Sequence, residues 1–344
     1  MSTETKPNET KVSETTIKPA SRGGSWRERV QQLMALAGLV LIFAVFSVAS
    51  PLIFPSYSNV TTILFSTTVV GLLALAETLI IISSGIDLSV GTVMTLAAVM
   101  SATFIVNWHF PVWLGILMTI LFGGLIGLIN GFNVAILRLP PFIATLAMML
   151  VAQGLALVIS NARPIYFDAK EHARYIWLST GSIIPGTRFP NAVIVLALAA
   201  VVAFILLNKT LLGRYDISIG SNEEATALSG INTKKWLIII YAVAGLFVGL
   251  AAIMISARLG SAQPATGLGY ELQAIAAVVI GGTSLSGGKG TIVGTIIGAL
   301  IISVINNGLQ IMSVRQEWQN VILGLVILVV VFIDQLRARR AATT

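Results

Sequence analysis

Long apolar runs, separated by short polar segments, follow one another along most of this chain. Most of the runs approach the roughly 20 residues that an α-helix needs to cross the hydrocarbon core of a bilayer. The pattern predicts an all-α protein with about ten membrane-spanning helices. The predicted spans are 32–50, 59–82, 88–106, 112–137, 141–160, 190–208, 236–256, 271–283, 290–312 and 317–334.

The region 256–300 departs most from this pattern. A polar segment that contains glycine and proline, 258–271, leads into a short apolar run that stops at Gly281 and Gly282. A backbone broken at membrane depth is tolerated where protein or a water-filled cavity satisfies its polar groups. The eighth span is therefore predicted to be a broken helix that lines a polar path. Close helix packing is predicted at glycines spaced four apart, namely Gly290, Gly294 and Gly298.

Composition supports a membrane protein. Of the 344 residues 56% are apolar and only 10% are charged, against about 25% charged in soluble domains. The chain has no cysteine, which excludes disulfides and thiolate chemistry. Fifteen of its 21 lysines and arginines fall on one predicted side, so the positive-inside rule predicts that both termini are cytoplasmic. The net charge of +7 is therefore interpreted as a topology signal and not as a nucleic-acid signal.

The domain organisation follows from these spans. A polar tail, 1–31, is predicted to be disordered and cytoplasmic, a transmembrane domain covers 32–336, and a cytoplasmic tail covers 337–344. Two hydrophilic loops are long: 161–189 on the predicted outer side and 209–235 on the inner side. Long loops in compact proteins are usually functional.

Two short segments echo each other. The segment 85–91 has glycine, leucine, serine and glycine in register with 282–288, and both follow a span that heads inward. Asn130-Gly131 and Asn307-Gly308 form a second echo. Transporter folds often contain internal repeats with sites at the repeat interface, but matches this short leave duplication open.

The inner loop contains a candidate short helix. Ser221 or Asn222 can cap it, and acidic residues follow in the first turn, where the helix dipole favours them. A helix this short is marginal in water, so its apolar stripe indicates either a surface helix between spans or a helix seated in a partner's groove. The candidate contact residues are Glu223, Glu224, Ala225, Leu228 and Gly230.

Polar side chains inside the apolar spans are the candidate path residues. A carboxylate at mid-bilayer costs roughly 2.5–3.5 kcal/mol, so Glu77 is expected to face a cavity or to make a buried hydrogen bond. Asp87 fits the N-cap of the third span better. Amides suit a neutral polyol, although interhelical hydrogen bonding is the alternative for each one. The candidates are Glu77, Asp87, Asn130, Gln153, Gln273, Asn306 and Asn307.

Catalytic and cofactor chemistry is not expected in this chain. His109 and His172 are isolated, with no carboxylate or second histidine at metal-ligand spacing. The segment 282–291 superficially fits a P-loop, but Thr283 and Gly290 stand where that motif needs glycine and serine or threonine. A membrane enzyme, bound metal and bound ATP are therefore not predicted.

Three stretches resemble a known family: 83–91, 222–232 and, most specifically, 257–290. The chain is similar to the permease subunits of ABC sugar importers, the ribose-type monosaccharide permeases of the branched-chain transport superfamily. The likeness covers about 33–334. It implies the ABC importer permease fold in a bacterial plasma (inner) membrane.

The resemblance also implies partners and a substrate. These are two cytoplasmic ATPase subunits, which carry ATP and magnesium, an extracytoplasmic sugar-binding protein and a second permease copy, with a homodimer expected. Ribose or a similar pentose is the expected substrate. The alternatives are xylose, galactose, inositol, autoinducer-2 or a nucleoside. An ion-coupled secondary transporter, with Glu77 as its membrane-embedded acid, is the alternative from a different class.

Two site assignments rest on the resemblance. The inner loop resembles an E-A-A-x-x-x-G coupling motif: Glu224, Ala225 and Gly230 match, while Thr226 replaces the second alanine. This implies that the 221–231 helix couples to the ATPase. The outer loop and the segment 258–270 would dock the binding protein, with candidate contacts Arg163, Lys170, Arg174 and Arg258.

Overall fold

The computed structural model describes residues 24–184, 186 and 189–342. The predicted N-terminal tail lies largely outside these residues. The helices within them are α1 (Gly24–Ala49), α2 (Tyr57–Ile82), α3 (Val90–Ala102), α4 (Val112–Ala135), α5 (Pro141–Ile159), α6 (Ala173–Thr180), α7 (Asn191–Lys209), α8 (Leu211–Ser221), α9 (Glu223–Leu228), α10 (Thr233–Leu259), α11 (Tyr270–Ile280), α12 (Ile292–Ile311) and α13 (Gln316–Ala342). A π-helical turn, Thr103–Asn107, extends α3.

Eight stretches of helix within the described residues are long and apolar enough to cross a membrane. Shorter apolar helices lie at Tyr270–Ile280 and Gln316–Val329. Together these correspond to the ten predicted spans, and the all-α membrane fold is confirmed. Helix α13 continues to Ala342, so it extends into the range assigned to the C-terminal tail.

Helix α2 is the centre of the bundle. All its residues from Thr67 to Ile82 are buried, and it packs against α7, α10, α11 and α12. A helix that is apolar all round is suited to burial on every side. Below, the end of the bundle where α2 finishes is called the α9 end, and the opposite end is called the far end.

Helices α4 and α10 pack through glycines. A Cβ on Gly123 would meet the backbone of Gly245 and Gly249, and a Cβ on Gly127 would meet the backbone of Tyr241. Without side chains at these positions the two backbones touch, as small residues permit in membrane helices. The prediction overlooked this contact, although Gly123, Gly127 and Gly131 are spaced four apart.

Helices α11 and α12 make a second close contact. A Cβ on Gly294 would overlap the backbone of Gly281, and a Cβ on Gly298 would overlap that of Ala277. Gly290 lies before the helix begins and faces Thr283 and Ile82. Two of the three predicted ladder glycines therefore lie on α12 against α11, and the third lies in the preceding loop.

Helices α3 and α11 each follow a non-helical segment. Helix α11 has 11 residues and rises about 16 Å, roughly half of a hydrocarbon core of about 30 Å. Helix α3 begins only at Val90, after the non-helical segment 83–89. Their N-termini meet, because a Cβ on Gly91 would contact the Gly267 carbonyl and the Glu271 carboxylate. The prediction left non-helical segments before both helices, but it did not anticipate that their N-termini meet.

The loop 161–189 folds onto the far end of the bundle. Its strand β1 (Ile165–Tyr166) pairs antiparallel with β2 (Ser261–Ala262) after α10. Tyr175 on α6 is buried, and its hydroxyl lies 2.9 Å from Ser101 Oγ and 2.7 Å from Ser256 Oγ. Burial raises the pKa of Tyr175 to about 12, so it keeps its proton for these bonds. The described residues of the 161–189 loop therefore form an ordered platform, called the far-end platform below.

Candidate functional site

Two cavities lie at opposite ends of α2. The larger, about 740 Å³, reaches Ser83 and Ser84 and is called the α9 cleft. The smaller, about 220 Å³, reaches Ser66 and Val70 and is called the amide cavity. Seventeen residues of helix separate Ser66 from Ser83, which places the two about 25 Å apart along the axis.

Charged side chains line the α9 cleft. They come from the ends of α4, α9 and α10, and include Arg138, Glu223, Glu224 and Lys234. Asn222 caps α9, because its Oδ1 accepts a hydrogen bond from the Ala225 N–H at 2.8 Å. The dipole of α9 favours the two glutamates in its first turn.

The apolar side of α9 faces outward. Leu228 is 84% exposed, and Ala225 is exposed as well. Thr226 is buried instead, and its hydroxyl donates to the Asn222 carbonyl at 2.7 Å. Thr226, which departs from the coupling motif, is thus the α9 residue whose side chain is buried. Gly230 follows with a φ of +84°, a conformation that favours glycine.

Helix α8 brings a buried carboxyl group next to α9. Asp216 is fully buried, and neither carboxyl oxygen has a hydrogen-bond partner among the described residues. Burial raises the pKa of Asp216 well above its usual range. A lone aspartate in a polar loop carried no signal of this burial, and the prediction overlooked it.

The loops that follow α2 and α11 meet at the end of α8. Ser84 Oγ donates to the Gly220 carbonyl at 3.0 Å and to the Ser286 carbonyl at 3.2 Å. The Gly288 N–H donates to the Ile82 carbonyl at 2.8 Å. The loops after α2 and α11 therefore contact each other and the residues that lead into α9.

Amides dominate the amide cavity, which lies among α2, α11, α12 and α13. Seven lining side chains are amides, and none of the described lining residues is charged. Three of the predicted path residues are here: Gln273, Asn306 and Asn307. Asn306 Nδ2 donates to Gln273 Oε1 at 3.0 Å, which ties α12 to the first turns of α11.

A buried polar cluster lies between the cavities. Asp87 Oδ1 accepts from the Ser89 N–H at 2.7 Å and from Ser89 Oγ at 2.6 Å, and Asn130 Nδ2 donates to Asp87 Oδ2 at 3.2 Å. The expected N-cap role of Asp87 is wrong: Ser89 is the N-cap residue of α3. Asp87 lies two residues earlier because the chain is still extended there.

Glu77 and Tyr241 are buried near this cluster. Neither carboxyl oxygen of Glu77 nor the Tyr241 hydroxyl has a hydrogen-bond partner among the described residues. A void of only about 10 Å³ lies beside Asp87 and Asn130, room for about one water molecule. The polar centre is therefore closed in this conformation.

The remaining predicted residues are dispersed. Gln153 is half-buried on α5 and lines neither cavity. Arg163, Lys170 and Arg174 are exposed on the far-end platform. Arg258 is half-buried, with its guanidinium 4.9 Å from the centre of the Phe65 ring and Nη1 3.5 Å from Ser66 Oγ.

No group of three or more histidine, aspartate or glutamate side chains is placed to hold a metal ion in the part of the chain that the structure describes. The site offers hydrogen-bonding groups, buried carboxyls and helices that begin inside the bundle. Such an arrangement can bind and pass a polar solute.

Known proteins match almost the whole chain. The family described as branched-chain amino acid transport system / permease component matches residues 59–331. The ribose import permease protein RbsC of Escherichia coli (strain K12) is 42% identical over 301 residues, 87% of this chain and 92% of that protein. Its namesake in Bacillus subtilis (strain 168) is 40% identical over 306 residues, 89% and 93% of the two chains.

A D-allose transport system permease protein of Escherichia coli (strain K12) is 36% identical over 298 residues, 87% of this chain and 90% of that protein. No solved structure matches this chain. The family match covers the bundle from the start of α2 into α13 and includes both cavities and α9. The chain therefore belongs to the permease component family of the branched-chain transport systems and is a multi-pass membrane permease.

Proposed function

We propose that this chain is the membrane-spanning permease of an ATP-driven importer that carries a monosaccharide, ribose or a similar pentose, into the bacterial cytoplasm. The observation that carries the proposal is the 42% identity with a ribose import permease over 87% of this chain. The relatives' printed names include ribose and D-allose. The amide cavity supports a neutral polar cargo because none of its described lining residues is charged.

The partners in this proposal are cytoplasmic ATPase subunits, an extracytoplasmic sugar-binding protein and a second copy of this chain. Helix α9 is the proposed contact with the ATPase. Leu228 is 84% exposed, and a large apolar side chain at the tip of a capped helix is suited to a groove in another protein. ATP and magnesium would be held by the ATPase.

The mechanism in this proposal is a movement of α9 that changes which cavity is open. ATP binding closes the ATPases and moves α9 together with the end of α8. The Ser84 and Gly288 contacts pass this movement to the loops after α2 and α11. The broken helices α3 and α11 then shift around the closed polar cluster, which connects the amide cavity with the α9 cleft.

The proposed orientation places α9 and both termini in the cytoplasm and the 161–189 loop outside. The exposed Arg163, Lys170 and Arg174 on that loop are the proposed docking residues for the binding protein. Asp168 orders this part of the loop by accepting the N–H groups of Glu171 and Lys170 at 3.0 and 2.7 Å. These bonds lower the pKa of Asp168.

Reconstitution tests the proposal. The chain, its co-purifying ATPase and a ribose-loaded binding protein are placed in proteoliposomes, and radiolabelled ribose uptake is measured with ATP and with a non-hydrolysable analogue. Uptake that requires ATP hydrolysis and the binding protein supports the importer. Uptake driven by a proton or sodium gradient without ATP contradicts it and favours an ion-coupled transporter that uses the buried Glu77 carboxyl group.

A further inference from the structure

The amide cavity contains polar atoms that the fold does not satisfy. Ser303 is 1% exposed and Asn307 is 7% exposed. Ser303 Oγ and Asn307 Oδ1 are buried and make no hydrogen bond with any residue the structure describes. Both residues line the cavity. Buried polar atoms almost always have partners, so these two oxygens leave unmet hydrogen-bonding capacity in the wall of the cavity.

The other lining groups are already fixed in position. Asn306 and Gln273 hold each other at 3.0 Å, and Gln319 Nε2 donates to the Val314 carbonyl at 2.7 Å. Each amide has further donor and acceptor capacity beyond these bonds. The cavity thus presents oriented donors and acceptors from α11, α12 and α13.

The chemistry of the lining selects one class of ligand. A hydroxyl group both donates and accepts, and so does an amide, so adjacent hydroxyls match a wall of amides. Tyr270 adds an aromatic ring to the wall. None of the described lining residues would pair with a charged solute, which is costly in a buried site; Arg258 lies behind the wall, against Ser66. A neutral polyhydroxylated molecule fits.

Size and position agree with this chemistry. The volume of about 220 Å³ far exceeds the roughly 10–15 Å³ that one water needs, so a whole small sugar can be enclosed. The cavity also adjoins the start of α11, the broken helix. Discontinuous helices frame the substrate sites of many transporters because their ends can move.

We infer that the amide cavity is a monosaccharide-binding site within each permease chain, with Ser303, Asn307 and the Gln273–Asn306 pair as its hydrogen-bonding groups. This inference rests on the proposed function and deepens it. The permease then holds the sugar through its hydroxyls after the binding protein releases it. Selectivity is shared between the binding protein and this chain.

Substitution of Asn307 separates binding from folding. Asn307→Leu keeps the approximate shape of the side chain, and the oxygen that it removes has no partner within the described chain, so stability is expected to be maintained. The matched control is Gln153→Leu, which removes a half-buried amide that lines neither cavity. Ser303→Ala is a second test at a smaller side chain.

The experiment measures radiolabelled ribose binding to the permease–ATPase complex in lipid nanodiscs, without the binding protein, together with ribose transported per ATP hydrolysed. We expect Asn307→Leu to weaken ribose binding about tenfold, the loss of one good hydrogen-bonding group. We expect Gln153→Leu to bind as the wild type does. We also expect Asn307→Leu to deliver less ribose per ATP hydrolysed than Gln153→Leu does.

The outcomes separate the two proposals. If the wild type imports ribose with ATP but the complex alone binds none, or if Asn307→Leu and Ser303→Ala both bind ribose unchanged, the cavity inference is overturned and the importer stands. If the wild type imports no monosaccharide with ATP, the proposed function fails and the inference fails with it. If Asn307→Leu and Ser303→Ala bind ribose more weakly while Gln153→Leu binds as the wild type does, the inference is supported.

Discussion

The α9 cleft and the amide cavity share α2 as a wall but differ in chemistry. The cleft has charged side chains from three helices and adjoins an exposed leucine. The amide cavity has no charged residue among its described lining and contains unsatisfied buried oxygens. Charges and an apolar tip are suited to a protein partner, whereas neutral amides are suited to a solute. The difference supports the proposal that partner contact lies at one end of the bundle and solute contact at the other.

The largest expected effect comes from changing the tip of α9. Leu228→Asp puts a charge where the proposed ATPase groove needs an apolar side chain, so we expect ATP-dependent ribose uptake to fall at least about tenfold. The permease should still insert, because Leu228 is 84% exposed and has few contacts to lose. Uptake in proteoliposomes and co-purification of the ATPase measure the effect.

Ala169→Asp, which introduces the same charge at an exposed position on the far-end platform, is the control and should retain the ATPase. Full uptake by Leu228→Asp would break the assignment of the cleft end to partner contact.

The second effect tests the wall of the amide cavity. Gly294→Leu forces α12 away from the backbone of Gly281, and overpacking of this kind costs about 3 kcal/mol or more. We expect a lower apparent melting temperature in detergent and loss of ribose binding, since Gln273 and Asn306 separate. A dye-based melting assay and the nanodisc binding assay measure the two results.

Gly154→Leu is the matched control, because a Cβ at Gly154 meets nothing within 4 Å. If Gly294→Leu has the same apparent melting temperature as Gly154→Leu and binds ribose normally, the α11–α12 contact does not shape the cavity.

The third effect is smaller and concerns the platform at the far end. Tyr175→Phe removes the hydroxyl that lies 2.9 Å from Ser101 Oγ and 2.7 Å from Ser256 Oγ, a loss of about 1–2 kcal/mol. We expect faster proteolysis within 161–189 at an unchanged rate of cleavage in the 209–235 loop. The control is Trp177→Phe, at a residue 47% exposed, which should leave both rates of proteolysis unchanged. If Tyr175→Phe is cleaved within 161–189 no faster than the wild type, the Tyr175 hydroxyl does not hold this loop to the bundle.

The smallest effect concerns docking at the same end. Lys170→Glu and Arg174→Glu reverse exposed charges, and we expect a few-fold weaker affinity for the binding protein that diminishes as salt screens the charges. Surface plasmon resonance at two salt concentrations measures it. Lys209→Glu, an exposed charge reversal at the α9 end, is the control. An affinity that falls only in this control would reverse the proposed orientation.

Hydrophobic runs predicted the fold well because a membrane span leaves a long, uniform signal. The short α11 was also predictable, since the polar segment before it and Gly281 and Gly282 after it limit the apolar run. The non-helical segment before α3 was predicted too, as the gap between two spans, but its meeting with the start of α11 was not, because no local pattern shows which segments pack together. Pairing information was missing too: the α4–α10 contact joins glycines more than a hundred residues apart.

The candidate site was predictable by residue type but not by grouping. Gln273, Asn306 and Asn307 meet in one cavity, whereas Gln153 lies apart on α5, and nothing in an isolated apolar span shows which way an amide faces. The burial of the Asp216 carboxyl group was equally hard to predict, because Asp216 occurs in a polar loop. The burial of Asp216 depends on how α8 packs against α2, α7 and α10. Such packing between distant segments is seen only in the tertiary structure.

The contact of the loops after α2 and α11 with the end of α8 affects how the permease can avoid leaks. Ser84 bonds to Gly220 and Ser286, and Gly288 bonds to Ile82, so the loops after α2 and α11 form one mechanical unit. A displacement of α8 reaches both broken helices in the same step. A continuous water channel would require one of them to open while the other lagged, and the shared hydrogen bonds oppose that sequence of events. These three hydrogen bonds therefore favour movement of the loops after α2 and α11 at the same time.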